Sequence, residues 1–92
     1  MNREILEACA IRRRDVFDRL EFHHGDVWLT LDELSKRFPN HAPETLRREL
    51  ETLKDDELLH VRKCEGLGLQ FNTSPLGVVY LNEQLLRERR GA

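Results

Sequence analysis

Cysteine is scarce in this 92-residue chain: Cys9 and Cys64 stand far apart, and there is no CxxC pair. The expectation is two free, mostly buried thiols in an intracellular domain. No apolar run approaches the length of a membrane span, which excludes a spanning helix. The first turns carry arginine and glutamate, not an apolar leader, so no signal peptide and a cytoplasmic location are expected. No glycine-rich phosphate loop of the required spacing occurs, and Gly66 and Gly68 read as turn residues. A net positive charge, the simplest sign of a nucleic-acid binder, is also missing: the formal total is -2. There is no internal repeat, low-complexity tract or linker, and too few residues for a second core, so one domain over residues 1–92 is expected.

The net charge conceals a split. Residues 1–14 hold four arginines against two glutamates, residues 15–39 sum to -3, and Asp55, Asp56 and Glu57 add three more negative charges. Residues 58–73 and 82–92 are each slightly basic. A locally basic face is compatible with an acidic total, so charge leaves nucleic-acid binding open.

Hydrophobic periodicity organises the chain. Ile5, Leu6, Cys9, Val16, Phe17 and Leu20 recur at threes and fours and predict a helix over residues 3–23, with Asn2 as its N-cap and Gly25 as a left-handed C-cap. Arg12, Arg13 and Arg14 interrupt the stripe, marking a bend or the root of a helical arm over residues 1–14. Val27-Trp28-Leu29 reads as a brief strand. Thr30 with Glu33 forms a capping box, opening a helix with Leu31, Leu34 and Phe38 on one face until Pro39 stops it. After a turn at residues 40–42, Pro43 suits the first position of a helix to about Asp55. Its buried stripe is Leu46, Leu50 and Leu53. Two helices joined this tightly form a helix-turn-helix. Alternation from Leu59 to Cys64 and from Leu69 to Thr73, around Glu65-Gly66-Leu67-Gly68, predicts a β-hairpin. Ser74-Pro75 then opens a last helix through about Arg89, with Leu76, Val79, Tyr80 and Leu86 on one face and Leu85 at its edge.

The run from Pro43 to Leu53, PETLRRELETL, resembles the recognition helix of winged-helix repressors of the DeoR type. The following Lys54 to Val61 resembles their acidic turn and first wing strand. Asn72 to Leu81 is similar to the step from wing to final helix in PadR-like and MarR-like regulators. The resemblance covers roughly residues 15–89. It departs from the pattern at Ala42, where a serine or threonine cap is frequent, and at Leu59, where a glycine is frequent. It implies an α+β fold: a winged helix-turn-helix, with a three-helix core and hairpin wing, plus additional N- and C-terminal helical segments. It also implies sequence-specific binding of double-stranded DNA as a small transcriptional regulator, a repressor, with no cofactor. Carried over, Thr45 contacts a phosphate, Arg47 and Arg48 face DNA, Arg62 and Lys63 lie on the wing, and Lys36 and Arg37 reach phosphates.

Each feature also has a plainer reading. Glu44–Arg48 and Arg47–Glu51 are i,i+4 pairs, which would make the outward face of this helix a lattice of solvated ion pairs. Arg12 to Arg14 read first as solvated surface with their stems on apolar neighbours; a phosphate clamp or minor-groove arm is the functional alternative. Ile5, Leu6 and Cys9 at one end, with Val79, Leu85 and Leu86 at the other, either pack together within one chain or form a homodimer interface. A dimer is expected, reading two half-sites about one DNA turn apart. No metal site is expected: His23 and His24 diverge as neighbours, and His60 and Cys64 are too far apart on a strand to share an ion. No catalytic arrangement stands out, so an enzyme is not expected. The runner-up is a winged-helix protein-interaction module with a protein partner, supported by the acidic total and the outward Glu44, Glu51 and Asp55.

Overall fold

The computed structural model describes residues 2–91, with side chains from Arg3 onward. Its elements are α1 (Asn2–Ala8), β1 (Ile11–Arg14), β2 (Leu20–His23), β3 (Leu29–Thr30), α2 (Leu31–Arg37), α3 (Pro43–Asp55), β4 (Leu59–Cys64), β5 (Gly68–Thr73) and α4 (Pro75–Gly91). β1 and β2 form a two-stranded antiparallel sheet, and a second antiparallel sheet has the order β3-β5-β4. Among the described residues the fold is thus α+β, four helices with two small sheets. No helix among the described residues is long and apolar enough to cross a membrane.

The largest correction falls on the predicted helix 3–23. It ends at Ala8, and an antiparallel hairpin follows, with Ile11 opposite His23 and Arg14 opposite Leu20. Asp15 explains the reversal. Its carboxylate accepts N–H bonds from Phe17 (2.8 Å) and Arg19 (2.9 Å), and Asp18 takes the left-handed conformation at φ 58, which aspartate tolerates. This local turn chemistry overrides an apolar spacing that fits a helix equally well. Val16 and Phe17, expected on a buried stripe, stand at the hairpin tip, 92% and 73% exposed. Among the described residues, the expected helical arm over residues 1–14 is helix only from Asn2 to Ala8 and strand from Ile11 to Arg14. Gly25 is not a left-handed cap either: it lies against Ile11, where a Cβ would overlap the isoleucine side chain. Asn2, expected as the N-cap, has a side chain outside the described residues.

The middle of the chain follows the pattern. Thr30 caps α2, its Oγ1 accepting from the Glu33 N–H at 3.1 Å, while the Glu33 carboxylate accepts from the Thr30 N–H at 3.2 Å. Pro43 occupies the first turn of α3, and Ala42 supplies no side-chain cap. Glu57, left-handed at φ 63, turns the chain after α3, and the Leu58 N–H donates back to the Leu53 carbonyl at 3.0 Å. Gly66 (φ 82) and Gly68 (φ 75) make the β4–β5 turn.

The core joins Ile5 and Leu6 of α1, Leu34 of α2, Leu46, Leu50 and Leu53 of α3, Leu59 of β4, Phe71 of β5 and Leu81 of α4. Burying each leucine contributes about 2 kcal/mol. On α4 the buried face is Gly77, Leu81 and Leu85, so the expected face of Leu76, Val79, Tyr80 and Leu86 is corrected by about half a turn. Gly77 sets this orientation, because its missing side chain lets the helix approach the Leu58 carbonyl.

Three buried polar residues at the end of β5 and the start of α4 lock the elements together. Asn72 donates to the carbonyls of Gly25 (2.8 Å) and Val27 (2.7 Å), holding residues 25–28 over the sheet. Thr73 donates through Oγ1 to the Leu6 carbonyl at 2.7 Å, and Ser74 through Oγ to that of Glu57 at 2.7 Å. Asn82 of α4 grips β2: Phe22 N–H donates to its Oδ1 (2.8 Å), and its Nδ2 donates to the Phe22 carbonyl (2.9 Å).

Candidate nucleic-acid interface

α3 places three leucines inward, and most of the residues between them face solvent. Arg47 and Arg48 are both exposed, as are Glu44, Glu51 and Lys54. The i,i+4 pairs that this spacing permits are not formed. Among the described residues, the ion pairs are Arg3–Glu7, Arg3–Glu88, Arg19–Asp15, His23–Glu21 and Lys36–Asp32, and the side chain of neither Arg47 nor Arg48 takes part in any ion pair or hydrogen bond; only the Arg48 carbonyl accepts, from Thr52 Oγ1 at 3.0 Å. Thr45 is half-buried beside them, one residue from the fully buried Leu46.

The β4–β5 hairpin stands next to α3. Between them lies a groove of about 800 Å³, floored by Leu31, Leu50, Val61 and Phe71, with Arg47 and Lys54 on its helix wall. Leu67 and Leu69 complete it from the hairpin tip, 60% and 50% exposed. Sequence reasoning missed these two leucines as surface features. Leu69 falls in the alternating strand pattern and Leu67 in the glycine turn, and neither joins the core.

The other expected contacts are divided. Lys36 and Arg37 end α2 and are exposed; Lys36 pairs with Asp32 at 3.2 Å, a solvated pair that yields readily to salt. Arg37 lies close enough to Cys9 for its charge to act on the thiol, yet burial dominates there and pushes the Cys9 pKa up to about 12. Lys63 is exposed near the hairpin tip. Arg62 is not at the tip. It lies on the outer face of the sheet, its guanidinium 4.0 Å from the Trp28 ring centroid and its Nε donating to Gln70 Oε1 at 2.8 Å. This stacked, bonded arginine braces the residues that cover the sheet.

The residues expected at a dimer interface also divide. Ile5, Leu6 and Cys9 have no exposed surface and Leu85 keeps only 9%, so these four belong to the chain's own core. The terminal helices pack on each other, and Arg3 bridges to Glu88 at their solvent edge. Val79 and Leu86 remain half-exposed, joined on the same helix by Leu76. Cys9 is buried as expected, whereas Cys64 is partly exposed, and both are free. Among the described residues no three histidine, cysteine or acidic side chains converge to hold a metal.

No protein-family model, curated protein or solved structure matches this chain.

Proposed function

We propose that the chain is a winged helix-turn-helix domain that binds double-stranded DNA and acts as a small transcriptional regulator, a repressor. α3 is the reading helix and β4–β5 the wing. The element order supports this assignment: a short strand leads into two helices joined by a tight turn, then a hairpin whose second strand pairs with the first. The observation that carries the function is the state of Arg47 and Arg48. Arg48 projects from the face of α3 opposite its leucines, Arg47 from the flank that lines the groove, and the side chain of neither is paired. An unpaired arginine on a helix entering the major groove can bond guanine O6 and N7 together, and its neighbour can bind phosphate. Two copies joined through Leu76, Val79 and Leu86 of α4 would present two such helices to paired half-sites.

The test is fluorescence anisotropy with a labelled random duplex pool at two salt concentrations, run beside the double variant Arg47→Ala, Arg48→Ala. Salt-sensitive binding that the variant loses supports the assignment; absence of binding at low salt ends it. One observation favours a second reading. Leu67 and Leu69, exposed beside an apolar groove, suit a protein partner better than a phosphate backbone. On that reading the domain is an interaction module, and binding of a protein partner would be lost on Leu67→Ser, Leu69→Ser while Arg47→Ala, Arg48→Ala retains it.

A further inference from the structure

The β1–β2 hairpin is not accounted for by the reading helix or the wing. It carries Arg12, Arg13, Arg14 and Arg19 against Asp15 and Asp18 between residues 11 and 20. The first three arginines are all exposed, and the side chains of Arg12 and Arg13 have no hydrogen bond or ion pair among the described residues. β1 is an outer strand, and charge on an outer strand discourages edge-to-edge association. That role explains arginines on β1, but it does not explain why the tip is Val16-Phe17, the two most exposed large apolar side chains in the described residues. Nor is the tip loose. Asp15 accepts from the Phe17 and Arg19 N–H groups, and its carboxylate pairs with Arg19 at 2.9 Å. Arg14 donates to the Asp18 carbonyl at 3.1 Å, and the Arg19 guanidinium stacks 4.8 Å from the Phe17 ring centroid. A built turn therefore holds an aromatic and a β-branched side chain out in water, between arginines.

We infer that the β1–β2 hairpin is a second contact with duplex DNA, in which Arg12 and Arg13 engage phosphates and the Val16–Phe17 tip lies against the minor groove. The inference rests on the proposal that the chain binds DNA. Successive strand residues point to opposite faces, so Arg12 and Arg13 reach the phosphates on the two sides of the ribbon. Apolar residues flanked by arginine are suited to the minor groove, where they wedge against base steps while the cations neutralise the backbone. The contact needs no particular base sequence.

The experiment compares four full-length proteins on one random-sequence duplex, titrating salt from 50 to 200 mM: wild type, Arg12→Ser with Arg13→Ser, Phe17→Ser, and Arg47→Ala with Arg48→Ala. The substituted hairpin side chains are exposed, so the fold is expected to survive; circular dichroism checks it. Each phosphate contact contributes about 0.9 to the slope of log K against log salt, so losing two lowers the slope by about 1.8. Over this fourfold range the wild type should then lose about twelvefold more affinity than the Arg12/Arg13 variant. Phe17→Ser should weaken binding severalfold at an unchanged slope. An unchanged slope in the Arg12/Arg13 variant, with binding lost only in the Arg47/Arg48 variant, overturns the hairpin contact and leaves the reading helix standing. The reverse pattern keeps the hairpin and removes the helix. A wild type that binds no duplex overturns both. Unchanged DNA affinity in Phe17→Ser, together with loss of binding to phosphatidylserine vesicles, would reassign the tip to an anionic lipid surface.

Discussion

Replacing Asn82 by alanine isolates the contact that docks the N-terminal hairpin. The Asn82 side chain accepts from the Phe22 N–H at 2.8 Å and donates to the Phe22 carbonyl at 2.9 Å, as a neighbouring strand would. Phe22 thus turns its backbone groups away from β1 and toward α4, and its ring enters the core at 2% exposure. Alanine leaves a donor and an acceptor without partners at a partly buried junction, at about 1–3 kcal/mol for each group that water cannot reach. Partial access for water puts the total near 2–3 kcal/mol. For a domain of this size, 1 kcal/mol corresponds to about 4–8 °C in Tm, so Asn82→Ala should melt some 10–20 °C below wild type. Amide exchange should locate the damage, with the Phe22 N–H exchanging much faster while those of α3 follow global stability. A Tm within about 2 °C of wild type, with the Phe22 amide still protected, would refute the docking role.

Gly77→Ala should be comparably harmful, at about 3 kcal/mol, because the new Cβ would lie 2.3 Å from the Leu58 carbonyl oxygen and 2.7 Å from Thr73 Cγ2. A backbone oxygen cannot rotate aside, so α4 must shift, and chemical denaturation measures the loss. The Cys9 thiol, pushed up to about 12 by burial, should resist a thiol reagent in the native protein. At pH 8 only about one in ten thousand such groups is a thiolate, so titration with an aromatic disulfide should show Cys64 reacting first and Cys9 only on unfolding. The Asp15 carboxylate is held below its usual pKa, chiefly by the Arg19 N–H and then the Phe17 N–H. A depressed folded pKa stabilises the hairpin tip above the unfolded value of about 3.9, and that contribution disappears as pH falls through the depressed value. Exchange protection of the Phe17 and Arg19 amides should therefore hold at neutral pH and fall away below about pH 4; Asp15→Ala should remove it at pH 7.

The centre of the chain was legible because several local signals agree there. Thr30 with Glu33, Pro39, Pro43 and the leucines at 46, 50 and 53 each point to the same helices, and the glycines at 66 and 68 mark the β4–β5 turn. Residues 9–23 were misread because period alone cannot separate a helix from a hairpin whose turn rests on one aspartate. Asp15 with Asp18 was the available signal, overlooked beside an apolar spacing that fitted. The face of α4 was misjudged for a different reason: a buried glycine, not an apolar residue, marks the closest approach. Among the candidate contacts, the exposure of Arg48 followed from periodicity, and that of Lys63 from its place near the turn. The stacking of Arg62 on Trp28 depends on where residues 25–28 lie, and that placement is dictated by Asn72 from far along the chain. Exposed Leu69 looks like a core residue in sequence and Leu67 like a turn residue, and only the projection of the hairpin beyond the core reveals both as surface leucines.

The central claim is that the outward arginines of α3 read duplex DNA. Its most direct test is repeated selection from a randomised duplex pool, performed with the wild-type protein and with Arg48→Ala. The account predicts that the wild type enriches a defined motif, and that Arg48→Ala relaxes the preference at one guanine position by about 1–3 kcal/mol while the rest of the motif persists. A pool that stays random after wild-type selection, or an identical motif recovered at equal affinity by both proteins, would contradict it.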